Sequence, residues 1–157
     1  MISSNERELS MEQLMPLFQE VLAAGKSVTF SPKGTSMLPM LRQGRDTVTL
    51  SPVPERLRKY DLPLYRRDNG QFVLHRIIRV GETYTCMGDN QYKPEPGLRR
   101  DQMIAVMTSF CRNGRTVSAD DAGYRFYCRL WCAVRPLRRV WKAAFHRVKR
   151  LLRRIVS

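Results

Sequence analysis

The chain reads as a mainly β domain preceded by a short helix and followed by an amphipathic basic helix. Two patterns predict this. From Gly25 to residue 118 the apolar residues come in short runs separated by Gly, Pro and Asp-Asn pairs, as in a domain built of many short strands. On both sides of that stretch the apolar spacing changes to i, i+3, i+4, the period of a helix with one buried face. At 157 residues the chain is long enough for one core and too short for two ordinary domains. The expected division is an N-terminal helix over 1–25, a β-rich domain over 26–118 and a basic helical tail over 119–157.

Taken in order, Ser10-Met11-Glu12-Gln13 has the form of a capping box, in which the Ser hydroxyl and the Gln side chain each satisfy a backbone N–H of the first turn. Leu14, Leu17, Phe18, Val21 and Leu22 then fall at helical spacing, and Gly25 suits the residue that ends the helix. Pro16 interrupts this pattern, so the regular helix could also begin there. Strands are expected over 28–30, 47–50, 62–65, 72–80, 84–87 and 103–110, with a short one at 116–117. Asp68-Asn69-Gly70 predicts a hairpin with a type I′ turn. From residue 124 the helical period returns. Leu137, Val140, Trp141, Ala144, Phe145, Val148, Leu151, Leu152, Ile155 and Val156 form one stripe, with basic residues opposite and Pro136 in the first turn.

The net charge of +14 favours anionic partners, and most of the surplus sits after residue 124, where no acidic residue occurs. Cys86, Cys111, Cys128 and Cys132 are spread without the paired C-x-x-C spacing of a zinc or redox site, which points to free thiols in a reducing compartment. Cys128 and Cys132 lie one turn apart and are either acylation sites or buried thiols. No apolar run is long enough to span a bilayer, and the N-terminus, with Glu6, Arg7 and Glu8, is not expected to act as a secretory leader, since it lacks the apolar core of one. The expected location is cytoplasmic, peripheral on the inner face of the membrane.

A serine becomes nucleophilic only if a base takes its proton and a donor holds the oxyanion. The chain has two histidines, and His146 lies among like charges, which leaves His75 as the imidazole base. On a strand, His75 would share a face with Val73 and Ile77 and be partly buried, so that it stays neutral. An ordinary core histidine would look the same. Ser36 lies in Gly34-Thr35-Ser36-Met37-Leu38-Pro39, where Met37 and Leu38 are apolar enough to dock into a core and fix the direction of the hydroxyl.

Four blocks in this order resemble the superfamily of signal peptidases and LexA-type repressor peptidases. Ser36-Met37-Leu38-Pro39 is similar to its Ser-Met-x-Pro nucleophile box, and Gly44-Arg45-Asp46-Thr47-Val48 to its Gly-Asp-x-Val segment with one residue inserted. Asp61-Leu62-Pro63-Leu64-Tyr65 is similar to the strand before the base. Leu74-His75-Arg76-Ile77-Ile78 and Gly88-Asp89-Asn90 resemble the His-Arg-Ile and Gly-Asp-Asn boxes. The resemblance covers roughly residues 26–110. It implies the β-rich fold of that superfamily and a serine endopeptidase acting on a precursor or leader with small residues before the cut. It selects the endoplasmic-reticulum, archaeal and sporulation-associated type, whose base is His rather than Lys. Ser36 would be the nucleophile and the donor of the oxyanion N–H, and His75 the base. Asp89 would orient the imidazole, although Glu95 also stands near the place of the family's downstream Asp. Met37, Leu38 and Pro39 are the candidate pocket residues, and no cofactor or metal is implied.

Signal peptidases carry a transmembrane helix before the nucleophile and the repressors a helix-turn-helix domain; the 35 residues before Ser36 show neither. The tail is the candidate substitute, with residues 136–157 on an anionic membrane surface. Packing of its stripe on the domain or on a second subunit is the competing expectation. Nucleic acid is disfavoured, because a groove-reading helix has no use for a continuous apolar stripe. The rivals to an active peptidase are a silent, peptide-binding or regulatory member of the fold, and a membrane or nucleic-acid binder acting through the tail.

Overall fold

The computed structural model describes residues 10–138, 140 and 141. It is mainly β, with antiparallel sheets, a short N-terminal helix and a helix near the C-terminus. Helix α1 (Met11–Ala23) begins with the expected capping box, Ser10 Oγ accepting from Gln13 N–H and Gln13 Oε1 accepting from Ser10 N–H. Pro16 lies inside α1 rather than at its start. The buried stripe is Met15, Phe18 and Leu22, while Leu17 is exposed, so the helix is rotated from the face that leucine spacing suggested.

Five strands form the backbone of the larger sheet in the order β1 (Val28–Phe30), β2 (Thr47–Pro52), β8 (Met103–Arg112), β3 (Pro63–Arg66) and β4 (Phe72–Leu74), with β9 (Arg115–Ser118) also on β8. The smaller sheet is β5 (Arg76–Val80), β6 (Tyr84–Met87) and β7 (Glu95–Leu98). The expected strand over 72–80 is therefore two strands that break at His75. β4 pairs with β3 and β5 pairs with β6, so the chain changes sheets at that residue. Strand β7 went unanticipated because Pro96 and Gly97 read as loop.

The β3–β4 hairpin differs from the expected type I′ turn. Only Gly70 has positive φ, its N–H bonds Arg67 C=O, and Arg67 N–H bonds Gln71 C=O, which describes a three-residue loop closed by a glycine bulge. A two-residue turn with both central φ positive occurs instead at Asn113-Gly114, between β8 and β9.

The main core joins Met15, Phe18 and Leu22 of α1 to Val48, Leu50, Leu64, Ala105 and Met107 of the sheet. Met37, Met40 and Leu41 from the serine loop and Tyr124 and Cys128 of α2 (Ala122–Ala133) belong to the same cluster. Both helices share this core and are not appendages to it. A second cluster, around Tyr65, Ile77, Cys86, Leu98 and Val106, fills the space between the two sheets.

Candidate active site

Ser36 is carried by an irregular loop whose direction is set from below. Met37 is 5% exposed, Met40 and Leu41 are buried beside it, and Leu41 N–H closes onto Met37 C=O at 3.0 Å. Burying these side chains fixes the segment on the core, as its apolar residues suggested. Gly34 N–H is held by Gln43 Oε1 at 2.7 Å, whereas Ser36 N–H has no acceptor among the described residues. It is the free donor an oxyanion requires.

The Gly88-Asp89-Asn90 turn clamps this loop from the other side. Asn90 N–H donates to Ser36 C=O at 2.8 Å and Asn90 Nδ2 to Thr35 C=O at 3.2 Å. Gly88 is packed so closely that a Cβ there would lie 2.6 Å from Ser36 O, 3.1 Å from Ser36 Cβ and 3.1 Å from His75 Nε2. The serine and the imidazole therefore converge on one point, and Ser36 Cβ and His75 Nε2 cannot be further apart than twice that last distance. Only glycine leaves room for both. No hydrogen bond joins Ser36 Oγ to His75 among the described residues; without substrate, such bonds are commonly long.

His75 sits at the break between β4 and β5 and is 3% exposed. Its Nδ1 lies 3.3 Å from Tyr65 Oη, at the long end of hydrogen bonding, and Tyr65 O–H donates to Glu95 Oε2 at 2.8 Å. A phenol has one proton, and an ionised carboxylate only accepts. With Tyr65 O–H donating to Glu95, Tyr65 Oη accepts from Nδ1–H, which leaves the lone pair on Nε2, the nitrogen that faces Gly88 beside Ser36 Cβ. That is the tautomer a general base needs. Arg67 grips Glu95 with two bonds of 2.7 Å, and together with the Tyr65 hydroxyl it holds the carboxyl below its ordinary range. Tyr65 is pushed up by burial and by Glu95, so it stays protonated. Burial first, then the Arg67 charge, lowers His75 to about 4 against the pull of Glu95 and Asp89, so at neutral pH the imidazole is uncharged.

Asp89 does not occupy the orienting position the sequence suggested. Its Oδ1 and Oδ2 accept from Arg76 Nε and Nη2 at 2.8 and 2.7 Å, and both side chains are fully buried. Arg76 also donates to Tyr60 C=O, Tyr124 Oη and Cys128 Sγ. The pair thus ties the residue after His75 to the turn beneath Ser36 and to α2, which is a positioning role. Glu95, reached through Tyr65, is the carboxylate connected to the imidazole. Sequence reasoning named Glu95 but missed Tyr65 and Arg67; Tyr65 left a signal as a polar-tipped ring one pleat along from a buried leucine.

A cleft of about 520 Å³ opens over Ser36 and His75. Met37 and Leu41 line it with Phe72, Val73 and Leu74 of β4, and Met11 and Glu12 of α1 form part of its rim. Of the candidate pocket residues, Met37 belongs to this cleft. Pro39 lines a separate hollow with Phe110 and Tyr127, and Leu38 lines neither, because the loop turns away after Met37. Cys86 is pushed up to about 12 by burial and remains a thiol, so it offers no competing nucleophile. No group of side chains suited to a metal ion occurs among the described residues.

Comparison with protein-family models, curated proteins and solved structures finds no match for the chain.

Proposed function

We propose that the chain is a serine endopeptidase, and more particularly a signal-peptidase-like enzyme of the His-base type that cleaves a peptide precursor or leader. The observation that carries this is the convergence of Ser36 Cβ and His75 Nε2 on the bare α-carbon of Gly88, with Ser36 and His75 lining a cleft that Phe72, Val73 and Leu74 wall on one side. In the first step Ser36 Oγ attacks the scissile carbonyl while its proton passes to His75 Nε2. The oxyanion forms against Ser36 N–H. His75 then gives the proton to the departing amine, leaving an acyl-serine. A water molecule, deprotonated by the same nitrogen, hydrolyses that ester. Tyr65 and Glu95 keep the imidazole in the tautomer that accepts at Nε2 and disperse the charge when it becomes cationic.

The substrate reading follows from the resemblance: a peptide with small residues before the cut. The test is a cleavage profile over a peptide library for the wild type, Ser36→Ala and His75→Ala. Cleavage by the wild type alone supports the proposal. A wild type that binds peptides in the cleft without cleaving them identifies a silent member of the fold.

A further inference from the structure

Helix α2 has two faces with different duties. On the inner side Tyr124 and Cys128 enter the core, Trp131 Nε1 donates to Asp89 C=O at 3.0 Å, and Arg138 reaches the same carbonyl at 3.3 Å while lying over the Trp131 ring. Helical bonding runs on beyond Ala133, with Val134 N–H on Leu130 C=O and Arg138 N–H on Val134 C=O. On the outer side Phe126, Leu130, Leu137, Val140 and Trp141 are 66, 50, 72, 69 and 78% exposed. At 3.6 residues per turn these five fall within an arc of about 100°. Among the described residues nothing covers them.

We propose that this outer face docks on a bilayer surface rich in anionic lipid. The charge pattern chooses the occupant. After Asp121 the sequence has eleven Lys and Arg and no Asp or Glu, and Arg129 stands exposed beside the apolar arc. Beyond the described residues, Ala144, Val148, Leu151 and Ile155 continue the same spacing in sequence. A neutral partner surface would leave that charge unanswered, whereas anionic head groups answer it along the whole basic stretch of the sequence. The docking face therefore begins at Phe126, within the helix that is bolted to the domain, rather than at residue 136. Because the opposite face of that helix holds the Asp89 carbonyl, the turn beneath Ser36 lies about one helix diameter, ~10 Å, from the docked surface.

Flotation of the Ser36→Ala protein with phosphatidylcholine vesicles, with and without phosphatidylglycerol, tests the proposal independently of any catalysis. Binding to the anionic vesicles is expected, weakening as salt rises, with a blue shift of tryptophan emission that disappears in Trp141→Phe. Leu130→Glu/Leu137→Glu changes only exposed positions and should lower binding at least about tenfold with the circular dichroism unchanged. Equal binding to neutral vesicles, or none to anionic ones, overturns the proposal. So does a concentration-dependent dimer that the double variant dissolves, which would assign the face to a second copy. Tighter binding to duplex DNA than to anionic vesicles overturns it as well.

Discussion

Replacing Gly88 with alanine tests the geometry of the site with one methyl group. The backbone at Gly88 does not have the positive φ that disfavours side chains, so any effect comes from contact. The added carbon would lie 2.6 Å from Ser36 O, roughly 0.8 Å inside the 3.4 Å at which ordinary contact begins. The obstructing atom is a backbone carbonyl, already bonded to Asn90 N–H, and the next two are Ser36 Cβ and His75 Nε2. None of these can swing aside as a flexible side-chain tip would. Overpacking of this kind costs about 1–3 kcal/mol, and under the proposed mechanism a displacement approaching 1 Å between Ser36 and His75 costs about 10² in rate. Steady-state kcat/KM on a cleaved peptide, with urea unfolding run alongside, should show the activity loss as the larger effect. Gly81→Ala is the control. It also lacks positive φ, and its Cβ would meet Thr83 O at a comfortable 3.7 Å, so activity and stability should hold. Full activity in Gly88→Ala would refute the convergence of Ser36 and His75 on this residue.

Asp89→Ala leaves the Arg76 charge buried without its carboxylate and should cost about 3–5 kcal/mol in urea unfolding, far more than loss of a surface ion pair. Tyr65→Phe removes the hydroxyl between His75 and Glu95; stability should fall by about 1–2 kcal/mol and kcat about tenfold, with KM little changed. As the proposed base, His75 must be neutral, so kcat/KM should be flat at neutral pH and fall on acidification only near pH 4, and Glu95→Gln should move that limb lower, since the carboxylate favours the imidazolium. Stability follows the same sign. With the folded pKa of His75 depressed from 6.5 to about 4, the unfolded chain takes up the proton first. The stabilisation is complete above pH 6.5 and is lost as the pH falls through about 4, with His75 supplying ~3 kcal/mol of it. An acid limb near 6.5 would contradict the buried imidazole.

What the sequence made legible follows the range over which each interaction acts. The capping box at Ser10 and most strand positions depend on neighbours a few residues away, and they appear in the local pattern. Ser36 and His75 could be singled out because nucleophile and base need particular residue types. Their meeting depends on Gly88, whose lack of a side chain matters only once the serine loop is folded against it. The break at His75 was hidden because 72–80 is uniformly strand-like; the change of sheet is dictated by separate pairing with β3 and β6. A motif position alone points Asp89 at His75, whereas its carboxylate is drawn to the guanidinium of Arg76, thirteen residues away and next to His75 in the chain. The Tyr65–Glu95–Arg67 chain joins β3 and the residue after it to β7 and has no local signature. The type I′ turn was placed at the wrong Asn-Gly pair because dipeptide preference does not count the residues that each ladder leaves for its loop.

Labelling with a serine-directed acylating probe, read by mass spectrometry of the digested protein, tests the Ser36–His75 site most directly. The adduct should form on Ser36 in the wild type, form at least about 10² times more slowly in His75→Ala, and be absent in Ser36→Ala. A wild type whose Ser36 is labelled no faster than its exposed serines, or a His75→Ala variant labelled at the wild-type rate, would contradict it.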